Sequence, residues 1–148
     1  MATKKWMRTF GAVTDHPGEM IDLAIEEATK ATGKEHDNLP MRRAADMAWL
    51  AAASAADVAA AKLGLDIPKG TNGRVAVLDK VEKAYKLRTG ILCGKFNAAH
   101  TTLHSLCYYE DSPSVDKRDV LWAMEETREM IRYTLEVIER RPKAPIKR

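Results

Sequence analysis

Apolar residues recur along this chain at intervals of three and four, and no stretch shows the two-residue alternation of a half-buried strand. Five helices follow from that period and from the residues that punctuate it. Asp15-His16-Pro17 is a helix start, with a cap residue ahead of a first-turn proline and an early acid in Glu19. Met20, Leu23, Ala24, Ala28 and Ala31 then form one stripe up to a stop at Gly33. Pro40 opens a second helix that runs to Gly64. Its centre is dense in alanine (Ala44, Ala45, Ala48, Ala51, Ala52, Ala55, Ala56, Ala59), with bulk supplied by Trp49 and Leu50. Alanine favours helix and lets neighbouring backbones come close, so this element is expected at the centre of the fold.

Residues 65–73 are a loop by their Gly, Pro and Asn content. A third helix is predicted over 74–89 on Val77, Leu78, Val81, Tyr85 and Leu87, with Gly90 breaking or kinking it. A fourth runs from Ile91 to Tyr108 with Leu92, Phe96, Ala99, Leu103 and Leu106 toward the core. After a turn at Glu110–Pro113, Ser114 caps a last helix to Glu139, carried by Leu121, Met124, Ile131, Leu135 and Ile138 and ended by Pro142 and Pro145. The expected fold is all-α, a bundle of four to five helices. It divides into a basic arm over 1–14, where Trp6 and Phe10 are spaced to dock a short turn, a single helical domain over 15–141, and a basic tail over 142–148.

At 148 residues the chain suffices for one domain with a real core. No apolar run reaches the roughly 20 residues of a membrane span. The longest, Met47 to Ala56, is mostly alanine. Met1 to Trp6 has basic residues but no apolar block behind them, so no secretory signal is expected and the cytoplasm is the expected location. Cys93 and Cys107 are the only cysteines. About 21 Å apart along one helix, they cannot pair within the chain and are expected as reduced thiols.

The net charge of +3 hides a segregation. Eight basic residues, Lys4, Lys5, Arg8, Arg140, Arg141, Lys143, Lys147 and Arg148, sit at the two ends with no acid among residues 1–14 or 140–148. Without them 16 basic residues face 21 acidic ones, a balance of −5, so the body is no polyanion groove and phosphate binding falls to the tails.

Chemistry concentrates on the fourth helix. At about 100° per residue, Cys93, Asn97, His100, His104 and Cys107 share an arc of roughly 80° beside the core stripe. His100 and His104, one turn apart, have the spacing that chelates a metal ion on zinc-binding helices, with Cys107 close enough to assist and Cys93 too far. The same imidazoles suit general acid–base work near neutral pH, and two histidines so spaced also occur as ordinary buried or interface residues. A nuclease needs a cation near the phosphate; Lys95 points about 100° off the histidine face, and Arg88 is about three turns away. No phosphate loop, serine nucleophile motif, paired carboxylates or cofactor motif is present; Gly70-Thr71-Asn72-Gly73 lacks the lysine of a phosphate loop. Trp49 and Trp122 are expected as core or interface anchors, and Glu125, Glu126, Arg128, Glu129 and Arg132 as a solvated face.

The order of these features resembles the HEPN superfamily of prokaryotic helical bundles over about residues 19–139. The likeness is carried by Asp46-Met47-Ala48-Trp49-Leu50 in an alanine-rich second helix, by Phe96 through His104 with Tyr108-Tyr109 behind it, and by the serine-capped last helix. The resemblance implies an antiparallel bundle, often a homodimer, in a group that includes RNA-cleaving toxins and RNA- or nucleotide-binding modules. Active members carry an arginine four to six residues ahead of a histidine. Here the residue six intervening positions before His104 is Asn97, and the one four intervening positions before His100 is Lys95. The chain therefore departs from the catalytic pattern at its arginine. What the resemblance implies is a non-catalytic module that self-associates and binds a protein or an RNA or nucleotide partner. The basic tails, or a face of Asn97, His100, His104 and Tyr108, would do the binding. The alternatives are a ribonuclease using His104, His100 and Lys95, and a metal-binding bundle using His100, His104 and Cys107.

Overall fold

The computed structural model describes residues 16–31, 38–105 and 116–147. The described residues form five α-helices: α1 (Pro17–Lys30), α2 (Asn38–Lys62), α3 (Thr71–Ala84), α4 (Cys93–Ala99) and α5 (Lys117–Ile138). α4 runs without interruption into a π-helical turn over His100–His104. No strand occurs among the described residues. None of the helices is long and apolar enough to cross a membrane.

α2 is the hub and packs against each of the other four described helices. Its alanines explain why. Ala44, Ala45, Ala48, Ala51, Ala52, Ala55, Ala56 and Ala59 are all essentially without solvent contact, and they lie around much of the helix rather than along a single stripe. A helix with methyl side chains on several sides accepts neighbours on several sides, and the bulk needed to fill the core comes from the partners. α1 contributes Ile21; α3, Leu78 and Val81; α4, Leu92 and Phe96; α5, Met124, Met130 and Ile131.

Charged pairs fix how the outer helices run. Asp22 on α1 bonds Arg132 at 3.2 Å and Arg128 at 3.3 Å on α5, and Lys117 at the start of α5 donates to the carbonyls of Thr29 and Ala31 at the end of α1. α1 and α5 are thus antiparallel. Lys95 on α4 meets Glu126 and Glu129 on α5, each at 2.8 Å. Ile91 lies beside Tyr133 further along, so α4 and α5 are antiparallel too. Asp57 of α2, 7% exposed at its side chain, takes a two-pronged bond from Arg74 of α3 at 3.1 and 3.2 Å. Burial raises the Asp57 pKa, and Arg74 opposes that rise.

Several boundaries differ from the sequence reading. α1 begins at Pro17 with His16 as its cap residue and no side-chain cap bond, while Asp15 and Gly33 lie outside the described residues. The buried stripe of α1 is Ile21, Ala24 and Ala28; Leu23 is turned outward, because at about 100° per residue it lies roughly 160° around the helix from Ile21. α2 starts two residues before Pro40, which sits in the first turn, where a missing N–H costs nothing. α3 ends at Ala84 instead of 89. The N–H of Leu87 bonds Glu82 O at 2.8 Å and that of Lys86 bonds Lys83 O at 3.3 Å, with Lys86 at φ 53°. This is the Schellman closure, with lysine where glycine usually stands. α2 closes in the same way through Gly64 at φ 68° and Leu65. Gly90, at φ 84°, lies in the connection to α4, beyond the point where Lys86 has already ended the helix. α5 is capped by Asp116, whose carboxylate accepts from Arg118 N at 2.9 Å; the expected cap, Ser114, lies outside the described residues.

Candidate functional site

The helix face singled out in the sequence divides in two. Its C-terminal half forms an aromatic cluster. The His100 and His104 rings stack with centroids 4.8 Å apart and planes inclined by 20°. Trp49 of α2, 5% exposed, lies against both, 5.1 Å from His100 and 5.2 Å from His104, and also touches Phe96 at 5.0 Å. The backbone makes this stack. Ser105 N–H bonds His100 O, five residues back, so the turn between the histidines holds one residue more than an α-turn and sets one ring nearly over the other. Burial lowers the His104 pKa, the neighbouring His100 lowers it further, and Asp46 on α2 opposes both. His104 is thus biased to the neutral imidazole at neutral pH.

That geometry bears on the chelate reading. A metal bound by imidazole lies in the ring plane about 2 Å from the nitrogen. Two rings stacked with planes inclined by 20° have no such point in common, so chelation requires at least one ring to leave Trp49. No group of three or more metal-binding side chains occurs among the described residues. Cys107 and Tyr108, two of the candidate residues, lie outside them.

The other candidates are scattered. Asn97 is exposed, and its carbonyl accepts from Thr101 Oγ1 at 3.1 Å. Lys95 is held by Glu126 and Glu129, whose bonds raise its pKa, so the cation proposed for a nuclease role is neutralised on another side of the helix. Glu126 and Glu129 therefore do not belong to a merely solvated face, and neither do Arg128 and Arg132, which bridge to α1. Trp49 is a core residue as expected. Trp122 is not, being 66% exposed; its place on α5 is along the outer row with Glu126, Glu129 and Tyr133.

The N-terminal half of the face is polar and rests on a residue the sequence reading passed over. Glu82 of α3 is 3% exposed, and its carboxylate accepts from the backbone N–H groups of Gly90, Leu92 and Cys93, each at 2.8 Å. One side chain thereby satisfies three donors around the start of α4. The signal for it was present: Glu82 stands among Leu78, Val81 and Tyr85, an acid at buried helical spacing. Cys93 is turned toward α3, with Sγ 3.5 Å from Val75 O. Burial first, and Glu82 second, push its thiol up to about 12, so it is a protonated packing residue at neutral pH.

Beyond Glu82 the chain's C-terminal segment returns to the bundle. The N–H groups of Lys143 and Ala144 both bond Ala84 O, at 2.8 and 3.0 Å, and Tyr85 OH donates to Arg140 O at 3.0 Å. The start of the basic tail is thereby anchored to the end of α3. No protein-family model, curated protein or solved structure matches this chain.

Proposed function

We propose that the chain is a non-catalytic, HEPN-like helical bundle that self-associates and serves as an interaction module for a protein or an RNA or nucleotide partner. The observation that carries this reading is the packing of His100 and His104. Both rings are stacked on each other and on a buried tryptophan, and Lys95, the cation that would have to assist them, is held between two glutamates on α5. A general base must reach the proton it removes, and a nuclease must present positive charge beside it; these side chains are arranged for packing. Trp122 supports self-association, since a tryptophan 66% exposed on an ordered helix is the kind of side chain that anchors interfaces.

The test combines two measurements on the purified chain. Incubation with labelled single-stranded RNA is expected to give no cleavage above the level of His104→Ala. Light scattering on a sizing column is expected to give a dimer that Trp122→Ala shifts toward monomer. Cleavage lost in His104→Ala would establish the ribonuclease alternative instead. One equivalent of tightly held zinc, lost in His100→Ala, would establish the metal-binding one.

A further inference from the structure

The end of α5, the connection from α3 to α4 and the returning C-terminal segment enclose a cavity of about 320 Å³. Lys86 and Arg88 reach it from the connection, Arg140 and Arg141 from the end of α5, and Lys143 from the returning segment. No acidic side chain is among its lining residues. Its floor is apolar and aromatic, from Ile91, Val137, Tyr85 and Tyr133.

Two features separate this cluster from ordinary surface lysines and arginines. The first is that the fold brings it together. Its five cations come from three stretches of chain, and the stretch carrying Lys143 is fastened by the paired bonds to Ala84 O and by Tyr85 OH to Arg140 O. The second is that the charge is left uncompensated. Elsewhere Arg74, Lys95, Arg128 and Arg132 each have a carboxylate on another helix. Here Glu136 takes Arg140, and Glu139 nearby is held by Lys62 at 3.4 Å. Among the described residues no carboxylate pairs with Lys86, Arg88, Arg141 or Lys143. Four like charges around one cavity repel each other, and an anion seated among them removes that repulsion. Arginine pairs with phosphate through two parallel bonds, and a tyrosine face accepts a planar base. The volume falls within the range of small-ligand sites.

We propose that this cavity is a nucleotide-phosphate site, with phosphates against Arg88, Arg141 and Lys143 and the base against Tyr133. The ligand chemistry has two sources, a free nucleotide and the 5′ end of an RNA strand. The site deepens the interaction-module reading by naming a partner class, and it shares no residue with the His100–His104 face.

The test is titration calorimetry on the full chain at low salt, with ATP, pyrophosphate and a 5′-phosphorylated RNA oligonucleotide as probes. The double variant Arg88→Glu/Arg141→Glu is expected to weaken binding at least about thirtyfold. The control Arg43→Glu/Lys69→Glu makes the same charge change at exposed positions elsewhere, and is expected to stay within about twofold of the parent. Tyr133→Leu is expected to weaken ATP and spare pyrophosphate. Circular dichroism establishes that each variant is folded. Binding of ATP with this pattern assigns the free nucleotide; binding of the oligonucleotide alone, with the same variant ratio, assigns the strand end. Failure of all three probes at millimolar concentration, or equal weakening by the two double variants, overturns the proposal. RNA cleavage dependent on His104 would overturn the non-catalytic reading while leaving these affinities untouched, so the two can fail separately.

Discussion

The two ends of α4 are held by different physics. At its N-terminus a single buried carboxylate, Glu82, collects three backbone N–H groups at 2.8 Å, bonds that are directional and tolerate little displacement. At its C-terminus the chain widens into a π-turn, and a packed set of rings, Trp49, Phe96, His100 and His104, takes over. The first end needs one residue in one geometry. The second draws its strength from area and shape shared among four. A helix of seven residues cannot stand by its own propensity, so both anchors are required, and the sequence that looks most chemical, His100-Thr101-Thr102-Leu103-His104, belongs to the packed end.

Substitutions at each end sharpen that contrast. The largest effect is expected from Trp49→Ala, which empties the centre of the ring cluster and should cost about 3–5 kcal/mol in chemical denaturation. A loss below about 1 kcal/mol would mean that the rings merely sit together. At the other end Glu82→Ala strands three donors and should cost about 3 kcal/mol, accompanied by faster hydrogen exchange at Gly90, Leu92 and Cys93. Exchange that rises uniformly over the bundle would instead make Glu82 a general core residue. Lys86→Gly, in the connection feeding this end, should stabilise the protein by roughly 1 kcal/mol, because glycine adopts the left-handed conformation at φ 53° without strain. No gain in melting temperature would show that the strain is already relieved.

The smallest effect separates the ends by pH. Burial lowers the His104 pKa in the folded chain, so below about 6.5, the value of an unstrained histidine, the unfolded chain binds the extra proton first. The stabilisation is fully present above that value and is lost as the pH falls through the folded value. The melting temperature is therefore expected to drop between pH 7.5 and pH 5, and His104→Gln should flatten part of the drop. An identical slope in the variant would place the sensitivity elsewhere.

How much of this was legible varies by element. The period of Leu92, Phe96, Ala99 and Leu103 identified the core side of α4 correctly, since burial of a helix stripe depends on spacing alone. The alanines of α2 likewise announced a central helix. Leu23 was misread because apolar character says that a residue can be buried, not that a neighbour covers it. The end of α3 was placed too late because Lys86 takes the left-handed conformation usually given to glycine, leaving no composition signal. The histidine pair was found by its spacing, but whether its nitrogens converge on an ion or its rings stack depends on a backbone bond five residues long.

By itself, then, the sequence determined an all-helical chain with an alanine hub, the core-facing stripe of α4, and charge gathered toward its ends. These are properties of single elements, set by local periodicity. Only the tertiary structure decided that Glu82 serves the next helix, that Trp49 stacks on His100 and His104, and that Arg88, Arg141 and Lys143 share one cavity. Each of those joins residues separated along the chain, and their meeting is fixed by how helices pack, which no local pattern encodes.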